Sequence, residues 1–246
     1  MAHQIAKLLM FCGILLLGLA LWRKDILPEH HGLRQELLQE PDQREVQRAA
    51  FQKTVAGVVY TIQPVYRYEL YGMVVSRHDA HTWWDYLHAE WNDNLNVTDL
   101  CVVWGNNVRS DNLRNIEFSS GQFTCNFSTR SSEAFAAFDQ SAISNNHLLS
   151  GDKWIAKKLR EADIGDQIRF RGYLAEYSHH HGFPFKRGTS TVRTDTGNGA
   201  CETVYVEEFE ILERGGRPWR ALLYVALAML IAGVIAWFVL PVRAEF

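Results

Sequence analysis

Asp152–Ser178 reads DKWIAKKLREADIGDQIRFRGYLAEYS, and its apolar period changes midway. Over Asp152–Ala162, Trp154, Ile155 and Leu159 recur at helical spacing, which predicts a short amphipathic helix. Ile164-Gly165-Asp166 predicts a turn. From Gln167 the period drops to two: Ile168, Phe170 and Leu174 share one face of a strand, and Gly172 sits in its middle as a bulge or close-packing site.

Outward from this stretch the pattern is β. Val58–Ile62 and Val65–Ser76 are rich in β-branched and aromatic residues, with Gly72 inside the second run. Arg77–Trp91 reads as a helix or an aromatic-lined loop. Val97–Gly105 and Ile116–Phe127 are two further strand candidates, and Ser132–Phe138 a short helix. Beyond His179-His180-His181, Thr189–Thr194 leads to a tight Asp195–Gly199 turn. Cys201–Leu212 closes the domain, with adjacent Glu207 and Glu208 predicting a bulge. A helix, a Gly-Asp turn and a strand with a central Gly are how many OB-type barrels are written. The expectation is a mainly β (α+β) domain over 55–213, a small OB-like barrel or sandwich with one or two helices.

Apolar segments bracket that domain. Ala221–Leu240 carries no charge over a length that spans a bilayer core of about 30 Å. The shorter run over 6–22 carries Lys7 near its start and reads as a transmembrane helix or a signal anchor. Residues 25–53 read as a helical juxtamembrane stalk broken at Pro41. Both ends therefore tie the domain to a membrane.

Two signals disagree on the side. Arg23, Lys24, Arg214, Arg217 and Arg220 flank the segments on the domain side, against the α-amine, Lys7 and Arg243 on the other, which favours a cytoplasmic domain. Long domains translocate largely regardless of such counts, and the signal-like start places this one in the periplasm. The net charge of −3, with both signs mixed and no basic run, excludes a nucleic-acid footprint.

Three stretches are unusual for surface loops: Trp104-Gly105-Asn106-Asn107, Asn145-Asn146-His147-Leu148-Leu149, and Ser190–Glu202, which ends in DTGNGACE. With Cys101 and Cys125 they make the chain resemble uncharacterised bacterial inner-membrane proteins with WG-x-N, NNHL and DTGNGACE-like segments. That resemblance implies a bacterial envelope protein and carries no activity.

Among the four cysteines, Cys12 lies in the first apolar run. Cys101 and Cys125 occupy consecutive strand candidates and are expected to pair if the domain is exported. Cys101, Cys125, Cys201 and His147 suit a tetrahedral metal by type, but no C-x-x-C knuckle supports one. A Cys nucleophile with His147 as base and Asp195 as its orienter is the catalytic alternative. His78, His81 and His179–His181 read as solvated loop residues, since no acidic partner stands at convincing spacing. No metal and no cofactor is expected.

Asn145, Asn146, His147, Arg193 and Asp195 are the candidate binding residues, because polar side chains so dense between apolar runs either satisfy buried backbone or face a ligand. The function expected is a non-catalytic binding or assembly component of a bacterial envelope complex at the inner membrane. Its partners would be the lipid bilayer and other membrane or envelope proteins, with no nucleic acid. The alternatives are a thiol- or metal-dependent envelope enzyme and a cytoplasmic-facing OB-like nucleotide or nucleic-acid module.

Overall fold

The computed structural model describes residues 2–29, 32–197 and 199–239. It divides the chain into two compact units, the terminal segments on one side of the division and Leu27–Arg214 on the other.

The first unit is a pair of helices, α1 (Ala2–Arg23) and α6 (Arg217–Val239). Both are long and apolar enough to cross a membrane by length and composition. Leu240, the last residue of the expected segment, lies outside the described residues. The helices run antiparallel, with Lys7 over the Trp237 ring at one end and Arg23 over the Trp219 ring at the other. Small residues let the backbones approach: a Cβ on Gly233 would stand 2.6 Å from Met10 Cγ, and Ala6, Ala20 and Ala226 are fully buried.

The second unit is α+β. Its strands are β1 (Asp42–Glu45), β2 (Phe51–Val55), β3 (Val58–Asp79), β4 (Asn96–Val103), β5 (Glu117–Gly121), β6 (Thr124–Ser128), β7 (Ile143–Leu149), β8 (Gln167–His179), β9 (Phe185–Arg187) and β10 (Glu202–Glu213). Between them lie α2 (Tyr86–Glu90), α3 (Asn106–Arg109), α4 (Ser132–Ala137) and α5 (Lys153–Glu161). Eight strands form one sheet in the order β1-β3-β4-β7-β10-β8-β9, with β2 also on β3, while β5 and β6 make a separate hairpin. Strand β3 pairs with β4 near its end and with β8 over Thr61–Met73, so the path β3-β4-β7-β10-β8 returns to β3. All neighbours on that path are antiparallel except β7 and β10.

At 22 residues, β3 is long enough to pair with four strands, β1, β2, β4 and β8. Register shifts at Pro64/Tyr66 and Val74/Ser76 mark the irregularities, each adding local twist. Gly172 is required where β8 meets β10, since a Cβ there would lie 2.0 Å from the Tyr205 carbonyl oxygen. The expected bulge beside Glu207 and Glu208 is present as a register shift between Val206 and Glu208. The expected turn before β8 is also present. Gly165 has φ +84°, its N–H reaches Val74 O at 2.7 Å, and the Val74 N–H reaches Asp166 O at 2.9 Å.

The main core gathers Leu70, Leu100, Leu148, Ile168, Phe170 and Leu174 beneath the apolar face of α5, where Leu159 is fully buried. Asp152 caps that helix, accepting from the Trp154 and Ile155 N–H groups at 2.7 and 3.0 Å. A second core lies under the β5–β6 hairpin and α4, around Met73, Val103, Phe138 and Leu37.

Three expectations need correction. The described residues of 25–53 form no helical stalk: they hold a 3-10 turn at Gln35–Leu38, strand β1 and the start of β2, and both strands pair with β3. Leu37 is buried in the second core, and Pro41 follows the turn, where no helix can continue through it. Ile116–Phe127 is two strands turning at Gln122–Phe123, not one. Asn145-Asn146-His147, read as a loop, is the middle of β7.

Candidate functional site

Alternation along β7 decides where its polar residues go. Asn145 and His147 point to one face; Ser144, Asn146 and Leu148 point to the other, where Leu148 joins the main core. Asn146 Nδ2 bonds Leu100 O and Ser144 Oγ within that side. The parallel register sets Thr203 opposite His147 and Glu202 opposite Asn146, so β10 repeats the division.

Over the Asn145–His147 face lies a cleft of about 870 Å³. Its floor is Asn145, His147, Cys201 and Thr203; its walls are the hairpin around Phe123 and residues 187–190, 195–197 and 199–200. Asn198, in the expected Asp195–Gly199 turn, lies outside the described residues.

His147 is fully buried and both ring nitrogens are engaged. Nδ1 is 2.7 Å from Asp99 Oδ1, and Nε2 is 3.0 Å from Arg187 Nη2. A guanidinium only donates, so Nε2 accepts, the imidazole is neutral, and its proton sits on Nδ1 facing Asp99. Burial alone would raise the Asp99 carboxyl, but His147 and the Asn96 amide hold it down at about 2. The three groups form a line of carboxylate, imidazole and guanidinium.

Phe123 closes this arrangement. It adopts φ +62°, uncommon for a bulky residue, and its N–H donates to Asp99 Oδ2 at 3.2 Å. Its ring packs 4.1 Å from that of His88 and 5.4 Å from that of Trp91, and the Arg187 guanidinium lies 3.8 Å from its centroid. Strain held by so many contacts is a common mark of a working site.

The polar chain continues inward from Asp99. Asn96 Nδ2 lies 2.9 Å from both Asp99 Oδ1 and His88 Nε2. Asn96 therefore donates to His88, whose remaining proton on Nδ1 goes to Asp85 Oδ2 at 2.6 Å. His78 Nε2 reaches the same oxygen at 2.6 Å. His78, Asp85 and His88 offer a two-imidazole, one-carboxylate donor set with ligand atoms within 4.8 Å of one another. Seating a cation on His88 Nδ1 would move its proton to Nε2, against the Asn96 amide N–H, so the hydrogen-bonded cluster is the arrangement this network sustains.

The candidate residues thus divide. Asn145, His147 and Asp195 line the cleft, where Asp195 accepts from Ser190 Oγ at 2.5 Å. Arg193 and Asn146 do not. Arg193 forms an ion pair with buried Glu202 and lies over the Trp104 ring. Cys101 and Cys125 are bonded, with Cα atoms 5.7 Å apart, although β4 and β6 are not ladder partners; the link joins the main sheet to the hairpin. That bond leaves neither cysteine for a Cys3His metal site. Cys201 borders the cleft, but burial pushes its thiol up, its nearest polar neighbour is Asn145 Nδ2 at 3.7 Å, and Asp99 rather than Asp195 orients His147. This geometry does not activate a thiol.

His78 and His179, read as solvated, are each 2 % exposed. Asp99, Arg187 and Asp85 escaped the sequence reading. Asp99 carried a signal: an acidic residue inside the apolar strand candidate Val97–Gly105 requires a buried partner. No family model, curated protein or solved structure matches this chain.

Proposed function

We propose that this chain is a non-catalytic binding component of a bacterial envelope complex, held at the inner membrane by α1 and α6, whose β domain takes a ligand in the cleft over His147. The domain is read as an OB-like barrel. The support is the returning path β3-β4-β7-β10-β8, the parallel β7/β10 pair, and α5 placed between β7 and β8 in the chain. OB folds bind through the face of their second and third strands and the loops after the first and fourth. Their counterparts here are β4 and β7, residues 80–95, and residues 180–201, which build most of the site.

One observation carries the binding reading. Asn145 is only 6 % exposed, lines the cleft, and its Oδ1 has no hydrogen-bond partner among the described residues. A buried carbonyl oxygen without a donor costs about 1–3 kcal/mol, a cost that a ligand's N–H or O–H removes. The Cys101–Cys125 bond supports a periplasmic domain, because such bonds persist in oxidising compartments.

A photoreactive amino acid at Thr189, on the cleft wall, tests this in native membranes, with Lys153 on α5 as the control position. A defined adduct is expected from Thr189 alone, and it should vanish when Asn145→Leu is added. Equal yields from the two positions would refute the binding reading.

A further inference from the structure

We propose that the Arg187 end of the cleft is an anion subsite, so that the ligand is a small polar molecule carrying a phosphate or carboxylate together with an N–H or O–H donor. This rests on the binding reading above.

Arg187 is a half-buried cation without a carboxylate partner. Among the described residues none lies within salt-bridge distance of it. The one carboxylate lining the cleft, Asp195, is taken by Ser190 Oγ. Only one of the five guanidinium N–H groups is accounted for, the one given to His147 Nε2. The rest belong to a plane that Phe123 holds from below and the β9–β8 pairing places at the cleft wall, since Arg187 sits opposite Tyr177. Planar, stacked guanidinium is suited to the two oxygens of a carboxylate or phosphate, and its preorganisation lowers the entropic cost of the bond.

The second half of the ligand follows from Asn145. Its unpartnered Oδ1 requires a donor, while the Thr203 hydroxyl is already committed to Gly188 O at 2.8 Å. A bare anion without a proton would leave Asn145 unsatisfied. The cleft, at about 870 Å³, has room for a molecule the size of a sugar acid or a glycerophosphate headgroup and for larger ones that carry such a group. Charge balance agrees: the buried Asp99 is offset by Arg187 only through neutral His147, so an anion meets a guanidinium that no carboxylate neutralises directly.

Purified full-length protein in detergent is titrated with inorganic phosphate, glucuronate and neutral glucose, with thermal stability as the readout. Phosphate and glucuronate should raise Tm in a saturable way while glucose does not. Arg187→Gln should weaken both anions about tenfold or more. Arg187→Lys, which keeps the charge but loses the plane, should fall between. Asn145→Leu should weaken glucuronate, and circular dichroism checks that each variant folds. Vesicles of phosphatidylglycerol against phosphatidylcholine separate a lipid headgroup from a soluble anion; either source supports the subsite. Equal responses from wild type and Arg187→Gln, or glucose binding as tightly as glucuronate, would overturn it. If the Thr189 adduct persists while anions do not bind, the subsite fails alone; if both are lost, the cleft reading falls with it.

Discussion

Glu202 is 2 % exposed beside Arg193, and burial pushes its carboxyl up to about 7 despite that ion pair. The unfolded carboxyl titrates near 4.3. Between those values the native protein holds a proton that the unfolded chain has released, so stability falls as pH rises from about 4.5 to 7 and flattens above. The two- to three-unit gap corresponds to roughly 3 kcal/mol. Glu202→Gln should therefore remove most of the decline in Tm between pH 5 and 7.5. Asp93, raised to about 6 by burial although Tyr177 donates to it, contributes a smaller slope of the same sign that the variant keeps. An unchanged slope in Glu202→Gln would show that the proton resides elsewhere. Asp99 works the other way: held at about 2, it stabilises the fold above the ordinary carboxylate range and loses that contribution only in strong acid.

At the scale of elements, the site depends on how closely β8 and β10 approach, because that approach fixes β10 against β7 and so sets Cys201 and Thr203 beside Asn145 and His147. Gly172 permits it. Gly172→Ala would drive a methyl into the Tyr205 carbonyl, and overpacking of this kind costs about 1–3 kcal/mol. Urea unfolding should register that loss, whereas Gly188→Ala, with open space around the added Cβ, should leave the midpoint nearly unchanged. Equal effects at the two glycines would mean that the β8–β10 contact does not limit the fold. The helix α5 is more conventional. Its burial of Leu159 follows from the apolar spacing alone.

For the whole molecule, α1 and α6 both cross the membrane in the proposed reading, and a chain that crosses twice carries residues 27–214 on the side opposite residues 2 and 239. With a periplasmic domain, proteinase K added to spheroplasts should digest Leu27–Arg214 before lysis, and thiol counting should find Cys12 and Cys201 but neither Cys101 nor Cys125 reactive in denaturant. Protection of the domain until the membrane is dissolved would place it in the cytoplasm, in line with the charges flanking the helices.

Local chemistry determined a good part of this protein. An uncharged run of helix-compatible length has only one way to satisfy its backbone in an apolar setting. The spacing of Trp154, Ile155 and Leu159 specifies a helix, that of Ile168, Phe170 and Leu174 a strand, and Gly165 the turn before it, because each depends on neighbours a few positions away. The site was legible only in part. Asn145 and His147 were recognisable as unusual, yet their polarity suggested a loop; β7 is a strand paired between β4 and β10, and Asp99, 48 residues distant, supplies the bond that buried His147 needs. Arg193 and Asn146 were grouped with them for their polarity; strand alternation sent Asn146 to the opposite side of the sheet, and Arg193 follows Glu202 and the Trp104 ring away from the cleft. Arg187 gave no local sign at all. Its role comes from the Phe123 turn, the Asp99–His147 pair and the β8–β9 pairing meeting at one point, and such long-range convergence exists only once the chain has closed on itself.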